Sequence, residues 1–125
     1  MFDKVKDGGA RETFEGGGQR EPSTGKGRFD LLPPYALLRV AQHYENGARK
    51  YAERNWEKGL PLHRYIDSCL RHLFQFMMGD RSEDHLAAAA WNILCYIHTE
   101  RMIAAGALPK ELSDVPWPPS EGEKE

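Results

Sequence analysis

The stretch that decides the fold is residues 62–106, LHRYIDSCLRHLFQFMMGDRSEDHLAAAAWNILCYIHTERMIAAG. In its first part Tyr65, Ile66, Cys69, Leu70, Leu73, Phe74, Phe76 and Met77 return every three or four positions, the spacing that lines one face of a helix. The pattern predicts a helix from about Leu62 to Met78, closed by Gly79, which suits a left-handed C-terminal cap. Ser82 is a good N-cap for a second helix, with His85 three residues on, where a capping box has Glu. That helix runs from Glu83 to about Ala105, and Gly106 followed by Pro109 ends it. A connection of only about four residues makes the two helices an antiparallel hairpin. The run Ala87 to Ala90 lets a neighbouring backbone come close, or leaves a shallow cavity beside larger groups.

Upstream, Pro33-Pro34 starts another helix, because proline is tolerated in a first turn. Tyr35, Leu37, Leu38, Ala41, Tyr44, Ala48 and Tyr51 recur at helical spacing through about Glu53, and Glu45, Arg49 and Glu53 make an i, i+4 ladder suited to a solvated face. The segment from Arg54 to Pro61 reads as a loop. Residues 1–28 are glycine-rich, and Met1, Phe2, Val5, Ala10 and Phe14 are their only hydrophobic residues. Such a segment cannot bury enough surface to offset its ordering entropy, so it reads as a flexible arm, disordered in isolation. Residues 109–125 hold four prolines and end in Glu-Gly-Glu-Lys-Glu, an extended tail in which Val115 and Trp117 can dock on the body or on a partner chain. The expected organisation is an arm at 1–28, an all-α helical bundle at 29–108 and a tail at 109–125.

A chain of 125 residues has room for one domain and no second core. A net charge of −2, and no helix with a basic face, give no case for binding a nucleic-acid polymer. Cys69 and Cys95 lie inside predicted helices without metal spacing, as small buried hydrophobes of a protein in a reducing cytosol. No stretch reaches the roughly 18 apolar residues of a membrane span. A soluble, cytoplasmic protein is expected. The apolar circumference around Phe74, Phe76, Met77 and Met78 would leave a patch in water, which points to a homo-oligomer.

Polar residues interrupt these apolar helices in a pattern. Asp67 and Arg71 are i, i+4, Ser68, His72 and Gln75 lie on an adjacent strip, and Glu83, Asp84 and His85 crowd the start of the next helix. Asn92 is seven residues beyond His85 on the same face. Folding the hairpin sets Asn92 opposite the segment from Asp67 to Arg71, and His85 opposite roughly Gln75, so the polar groups converge on one seam. Plainer readings exist for each. Asp67 and Arg71 make an ordinary helix ion pair, the helix dipole favours Glu83 and Asp84 in a first turn, and single histidines are commonly hydrogen-bonded in place. A buried amide such as Asn92 needs partners wherever it sits. At the end of the first helix, Lys50, Asn55 and Trp56 suit phosphate and base contacts, or simply a cationic helix end with an aromatic anchor. Gly25-Lys26-Gly27-Arg28 has the make-up of a phosphate cradle without being a Walker loop.

Several strings occur in a fixed order. They are Gly18-Gln19-Arg20-Glu21, Gly25-Lys26-Gly27-Arg28-Phe29-Asp30-Leu31-Leu32-Pro33, Gly47-Ala48-Arg49-Lys50-Tyr51 with Asn55-Trp56 and Lys58-Gly59, Asp67 through Arg71-His72-Leu73, and His85-Leu86-Ala87-Ala88-Ala89-Ala90-Trp91-Asn92. Together they resemble the dATP/dGTP diphosphohydrolase N-terminal-domain family of mainly phage and bacterial proteins, relatives of the all-α MazG-type nucleoside triphosphate pyrophosphohydrolases. The resemblance implies a MazG-like bundle that converts a purine deoxynucleoside triphosphate to the monophosphate and pyrophosphate with Mg²⁺ or Mn²⁺. MazG-like enzymes hold metal with a Glu-Glu-x-x-Glu on one helix and a Glu-x-x-Asp on the next. Here the corresponding helices offer Asp67, then Glu83, Asp84, His85 and Asn92, with Glu45 on the helix before. On this resemblance Glu45, Asp67 and Asp84 are the expected metal ligands, and Asp67, His72 and His85 the expected catalytic residues. His72 and His85 would be alternative ligands or would orient water, and would then signal a softer metal such as Mn²⁺ or Zn²⁺. Lys26, Arg28 and Lys50 would hold phosphates, Asn55, Trp56 and Asn92 would face base or sugar, and Arg71 completes the substrate-binding set. The alternative is a nucleotide-binding or protein-interaction module without catalysis.

Overall fold

A computed structural model describes residues 7–115. The chain divides into two units, Met1–Leu32 and Pro33–Glu125. In the second, three helices form among the described residues: α1 (Pro34–Lys50), α2 (Leu62–Met77) and α3 (His85–Ala104). The all-α bundle expected from the sequence is the fold. None of these helices is long and apolar enough to cross a membrane.

Pro34 occupies the first turn of α1, and the helix closes where the Tyr51 N–H donates to the Gly47 carbonyl at 2.8 Å. That is three residues short of the expected end at Glu53. Arg54 turns left-handed at φ 60°, and Asn55–Lys58 make a 3-10 turn that brings Trp56 edge-on to Tyr44, ring centroids 5.6 Å apart. Aromatic burial thus outweighs the solvated Glu45–Arg49–Glu53 ladder. The expected N-cap of α3, Ser82, is also replaced. Asp84 caps instead, accepting from the Ala87 N–H at 3.1 Å, while the Ser82 N–H donates to Asp80 Oδ1 at 2.9 Å. A carboxylate at a helix N-terminus gains from the dipole as well as the hydrogen bond.

The core lies between α2 and α3. Leu62, Tyr65 and Cys69 are buried from α2, and His85, Ala87, Ala88, Ala89, Asn92, Cys95 and Thr99 from α3. His85, Ala88, Asn92, Cys95 and Thr99 fall on one helical stripe, and the alanines let the backbones approach. Both cysteines are free and buried, as their placement in apolar helices requires. Polar atoms along the seam are satisfied internally: Tyr65 Oη lies 3.1 Å from Thr99 Oγ1, and the Asn92 amide donates to the Ala88 carbonyl at 2.9 Å and to Ser68 Oγ at 3.3 Å.

Tyr44, Trp56, Trp91, Tyr96, Ile103 and Val115 pack around Leu62, Tyr65 and Cys95. Val115 therefore docks on the body, one of the two places expected for it; Trp117 lies outside the described residues. Asp114 serves the start of α2, where Pro61 offers no side-chain cap. It accepts from the His63 N–H at 3.0 Å and lies 2.6 Å from His63 Nδ1. Gly59 has φ +80°, and a Cβ there would stand 2.9 Å from Leu108 Cδ1 and 3.1 Å from Leu112 Cδ1, so glycine is needed for this close approach.

In the first unit, β1 (Glu12–Thr13) pairs antiparallel with β2 (Gln19–Arg20), with Glu12 opposite Arg20. Every residue from 7 to 20 is exposed. This one short hairpin is held by backbone bonds and buries no core.

Candidate functional site

The short α2–α3 connection turns the chain through residues 78–84 and sets the last turns of α2 against the start of α3. His72 meets His85 there, with Nδ1 to Nδ1 at 2.9 Å and ring centroids 5.2 Å apart. The His85 side chain is fully buried, and its other ring nitrogen, Nε2, lies 3.1 Å from Asp80 Oδ2. The Ser82 backbone and side chain, then His85, hold the Asp80 carboxyl down to about 2, so it is ionised and only accepts. His85 Nε2 must therefore carry the proton. In the neutral ring that leaves a lone pair on Nδ1, and His72 Nδ1 is the donor between the two rings.

Glu83 adds a carboxylate oxygen 3.7 Å from His72 Nδ1 and 4.0 Å from His85 Nδ1. Burial lowers the pKa of His72, with Glu83 opposing. His43, whose ring centroid is 5.3 Å from that of Trp91, is also lowered, first by burial and then by the field of His72. Beside them Arg39 Nη2 and Nε grip Asp84 Oδ1 and Oδ2 at 2.6 and 2.8 Å, tying α1 to the capped end of α3. The Arg39 guanidinium pulls the Asp84 carboxyl down to about 2.

Of the residues anticipated from the sequence, His72 and His85 come together directly. Asn92 faces Ser68, inside the anticipated segment from Asp67 to Arg71, whereas His85 meets His72 and not Gln75. Glu45, Asp67 and Asp84 are not brought together; each is bound to an arginine, Arg49, Arg71 and Arg39 respectively. Lys50 is exposed, its Nζ 5.3 Å above the Tyr51 ring, and Asn55 is exposed at the start of the 3-10 turn. Trp56 is half-buried between Tyr44 and His98, the latter ring centroid 4.9 Å away. Lys26 and Arg28 belong to the first unit, where the Lys26 N–H closes a turn on the Ser23 carbonyl and Arg28 binds Asp30 through two bonds of 2.8 and 2.7 Å.

Sequence reasoning passed over Asp80, Arg39 and His43. Asp80-Arg81-Ser82 after a glycine cap has the make-up of an Asx turn, in which the Asp side chain meets the backbone two residues on. Arg39 and His43 are i, i+4 and so share one face of α1. Both signals were available.

His72, Glu83 and His85 are, among the described residues, the one group of three whose ligand atoms all lie within 4.8 Å of one another. Two imidazole nitrogens and a carboxylate, one imidazole oriented from behind by Asp80, are a donor set that fits a divalent cation. The residues present thus agree with a metal-dependent chemistry. No curated protein and no solved structure matches the chain. A family model does: the one described as dATP/dGTP diphosphohydrolase, N-terminal, matches residues 16–105, a stretch that takes in all three helices and the turn carrying the two histidines. This protein belongs to the dATP/dGTP diphosphohydrolase N-terminal-domain family.

Proposed function

We propose that this protein hydrolyses purine deoxynucleoside triphosphates, dATP or dGTP, to the monophosphate and pyrophosphate, using a divalent cation at the α2–α3 turn. The observation that carries the reading is the convergence of His72, Glu83 and His85 in a chain of this family. His72 Nδ1, His85 Nδ1 and Glu83 Oε1 would hold the cation. A bound cation neutralises triphosphate charge and makes water a stronger nucleophile at neutral pH. The chain's own part is placement. Asp80 keeps the proton of His85 on Nε2, so that Nδ1 faces the site. The Arg39–Asp84 pair holds the first turn of α3 in register with α1. His43, kept neutral by burial, is a proton acceptor beside this cluster. Lys50 and Asn55, exposed at the end of α1, are free to meet phosphate and base.

The test is release of pyrophosphate and monophosphate from a panel of ribo- and deoxynucleoside triphosphates, each with Mg²⁺, Mn²⁺ or Zn²⁺. Pyrophosphate from dATP or dGTP, with little from pyrimidines, is expected. Silence across the panel in folded protein would overturn the hydrolase and leave a nucleotide-binding or interaction module.

We also propose that the chain works as a homo-oligomer. Leu86, Ile93, Leu94 and Ile97 of α3 and Leu70, Phe74 and Met77 of α2 are exposed, Ile97 by 57% and Met77 by 75%. A helix that is apolar all round has neighbours on every side in folded proteins, and a second copy supplies the missing one. Light scattering behind size exclusion should give a multiple of 14.2 kDa; a monomer at every concentration would remove this element.

A further inference from the structure

We propose that His72, His85 and Glu83 form a site selective for a transition metal that accepts imidazole nitrogen, of the Zn²⁺ or Fe²⁺ class, over Mg²⁺, and that Asp80 is its positioning residue. The inference rests on the proposed function only in making this metal the hydrolase's own. Binding is measured without nucleotide, so the two can fail separately.

Reach comes first. A zinc-class ion sits about 2.1 Å from each ligand atom and so joins atoms up to about 4.2 Å apart. The three separations here are 2.9, 3.7 and 4.0 Å. The longer two both involve Glu83, whose side chain is 58% exposed and free to rotate inward. The two imidazoles, hydrogen-bonded nitrogen to nitrogen, have only to tilt and part slightly to aim both Nδ1 lone pairs at one ion.

The second ground is orientation. A metal-binding histidine characteristically gives its other ring N–H to a carboxylate, which sets the tautomer and strengthens the ligating nitrogen. His85 does this with Asp80, and its ligating lone pair is left on Nδ1, the atom that faces His72 and Glu83. Only one proton lies between the two Nδ1 atoms. A cation replaces it when His72 moves that proton to its own Nε2, with no net proton taken up or released. Charge is also suited. Asp80 and Glu83 bring two carboxyl groups around the rings, and the neighbouring Asp84 is already compensated by Arg39.

Selectivity follows from the donors. Mg²⁺ takes oxygen ligands in near-octahedral geometry and gains little from imidazole, and Glu83 is the single oxygen ligand in the trio. Imidazole suits zinc, iron and nickel. Three protein donors are also fewer than the four of a closed structural zinc site, so a coordination position is left for water or phosphate. The buried Cys69 and Cys95 do not compete. Burial pushes both thiols up, that of Cys95 to about 11, which disfavours the thiolate a metal needs.

The experiment uses the full chain, stripped with a chelator and titrated with Co²⁺ as the spectroscopic probe, with Zn²⁺ and Mg²⁺ compared by thermal shift. Expected are visible Co²⁺ absorption saturating at one ion per chain and displaced by Zn²⁺, and a Tm raised by Zn²⁺ but not by equal Mg²⁺. His72→Ala and Glu83→Gln should weaken the Co²⁺ signal while helicity by circular dichroism is retained. Both side chains reach the surface, so neither variant relies on replacing the buried His85. Asp80→Asn should weaken binding about 10- to 100-fold without removing the visible bands. No Co²⁺ signal in folded protein, an unchanged signal in both His72→Ala and Glu83→Gln, or a sulfur charge-transfer band reporting cysteine ligation would each overturn the site. Equal stabilisation by Mg²⁺ would overturn its selectivity. Zinc binding without pyrophosphate release would defeat the hydrolase and leave the site standing.

Discussion

The two ends of the α2–α3 seam are chemically opposite: one is closed from solvent, and the other sets a buried His85 beneath more exposed carboxylates. At the end remote from the turn, Leu62, Tyr65, Cys95 and Thr99 pack under Tyr44, Trp56 and Tyr96, and the polar atoms close on one another through a hydroxyl pair. At the turn, His72, His85, Asp80 and Glu83 also satisfy one another, but with imidazoles and carboxylates. Placing a fully buried imidazole there asks for an ionised carboxylate behind it and a second ring in front, an arrangement that stability alone does not require. The aromatic end supplies apolar packing, and the turn end gathers the titratable groups.

This division can be broken most forcefully at the aromatic end. Leu62→Ala should destabilise the protein by about 2–5 kcal/mol in denaturant unfolding, the usual cost of emptying a buried leucine site. Cation binding at the turn should survive in whatever fraction stays folded; its loss in folded protein would mean that the two ends are not separable. Next comes Asp84→Ala, which removes both the cap of α3 and the tie to Arg39. A loss of about 0.5–2 kcal/mol is expected from the cap, and little more from the pair, because both side chains are over a third exposed.

Acid titration should resolve two groups of the turn end by pH. Burial holds His43 below its ordinary 6.5, so the unfolded chain binds its proton more readily than the folded one. Stability should therefore begin to fall as pH drops below about 6.5, and His43→Gln should flatten that limb. Asp84, lowered from 3.8 to about 2, stabilises the fold above pH 3.8, and this contribution is lost as pH falls from there toward 2. Melting temperatures between pH 8 and 2 should show both limbs; a curve flat down to pH 4 would count against the first. Smallest of all is Arg71→Ala. Its pair with Asp67 is more than half exposed on both sides, and the change should stay within about 0.5 kcal/mol. A large effect on turnover with that small effect on stability would bring Asp67 and Arg71 into the site.

Much of this was legible before any coordinates. The three helices, the tight hairpin, the buried cysteines and the pairing of Asn92 with the segment around Ser68 all follow from periodicity, caps and loop length. The errors share a cause. Helix one ends early because Trp56 is drawn under Tyr44, Asp84 displaces Ser82 as cap because it also reaches Arg39, and His85 finds His72 about one turn away from the expected Gln75. Each depends on a residue from another element, and sequence spacing carries no information on how far one helix is rotated or slid along its neighbour. Asp80 is a divided case: its turn with Ser82 is readable in the sequence, whereas its contact with the buried His85 ring is not.

By itself, then, the sequence determined which residues form helices, which faces are apolar, and that polar groups meet along one seam, because these are consequences of local geometry repeated every 3.6 residues. Only the tertiary structure decided which of those polar groups touch. The close approach allowed by Ala87, Ala88 and Ala89 sets the slide and rotation of α3 on α2. A shift of one helical turn, about 5.4 Å, would have parted His72 from His85 and left the same composition without its cluster.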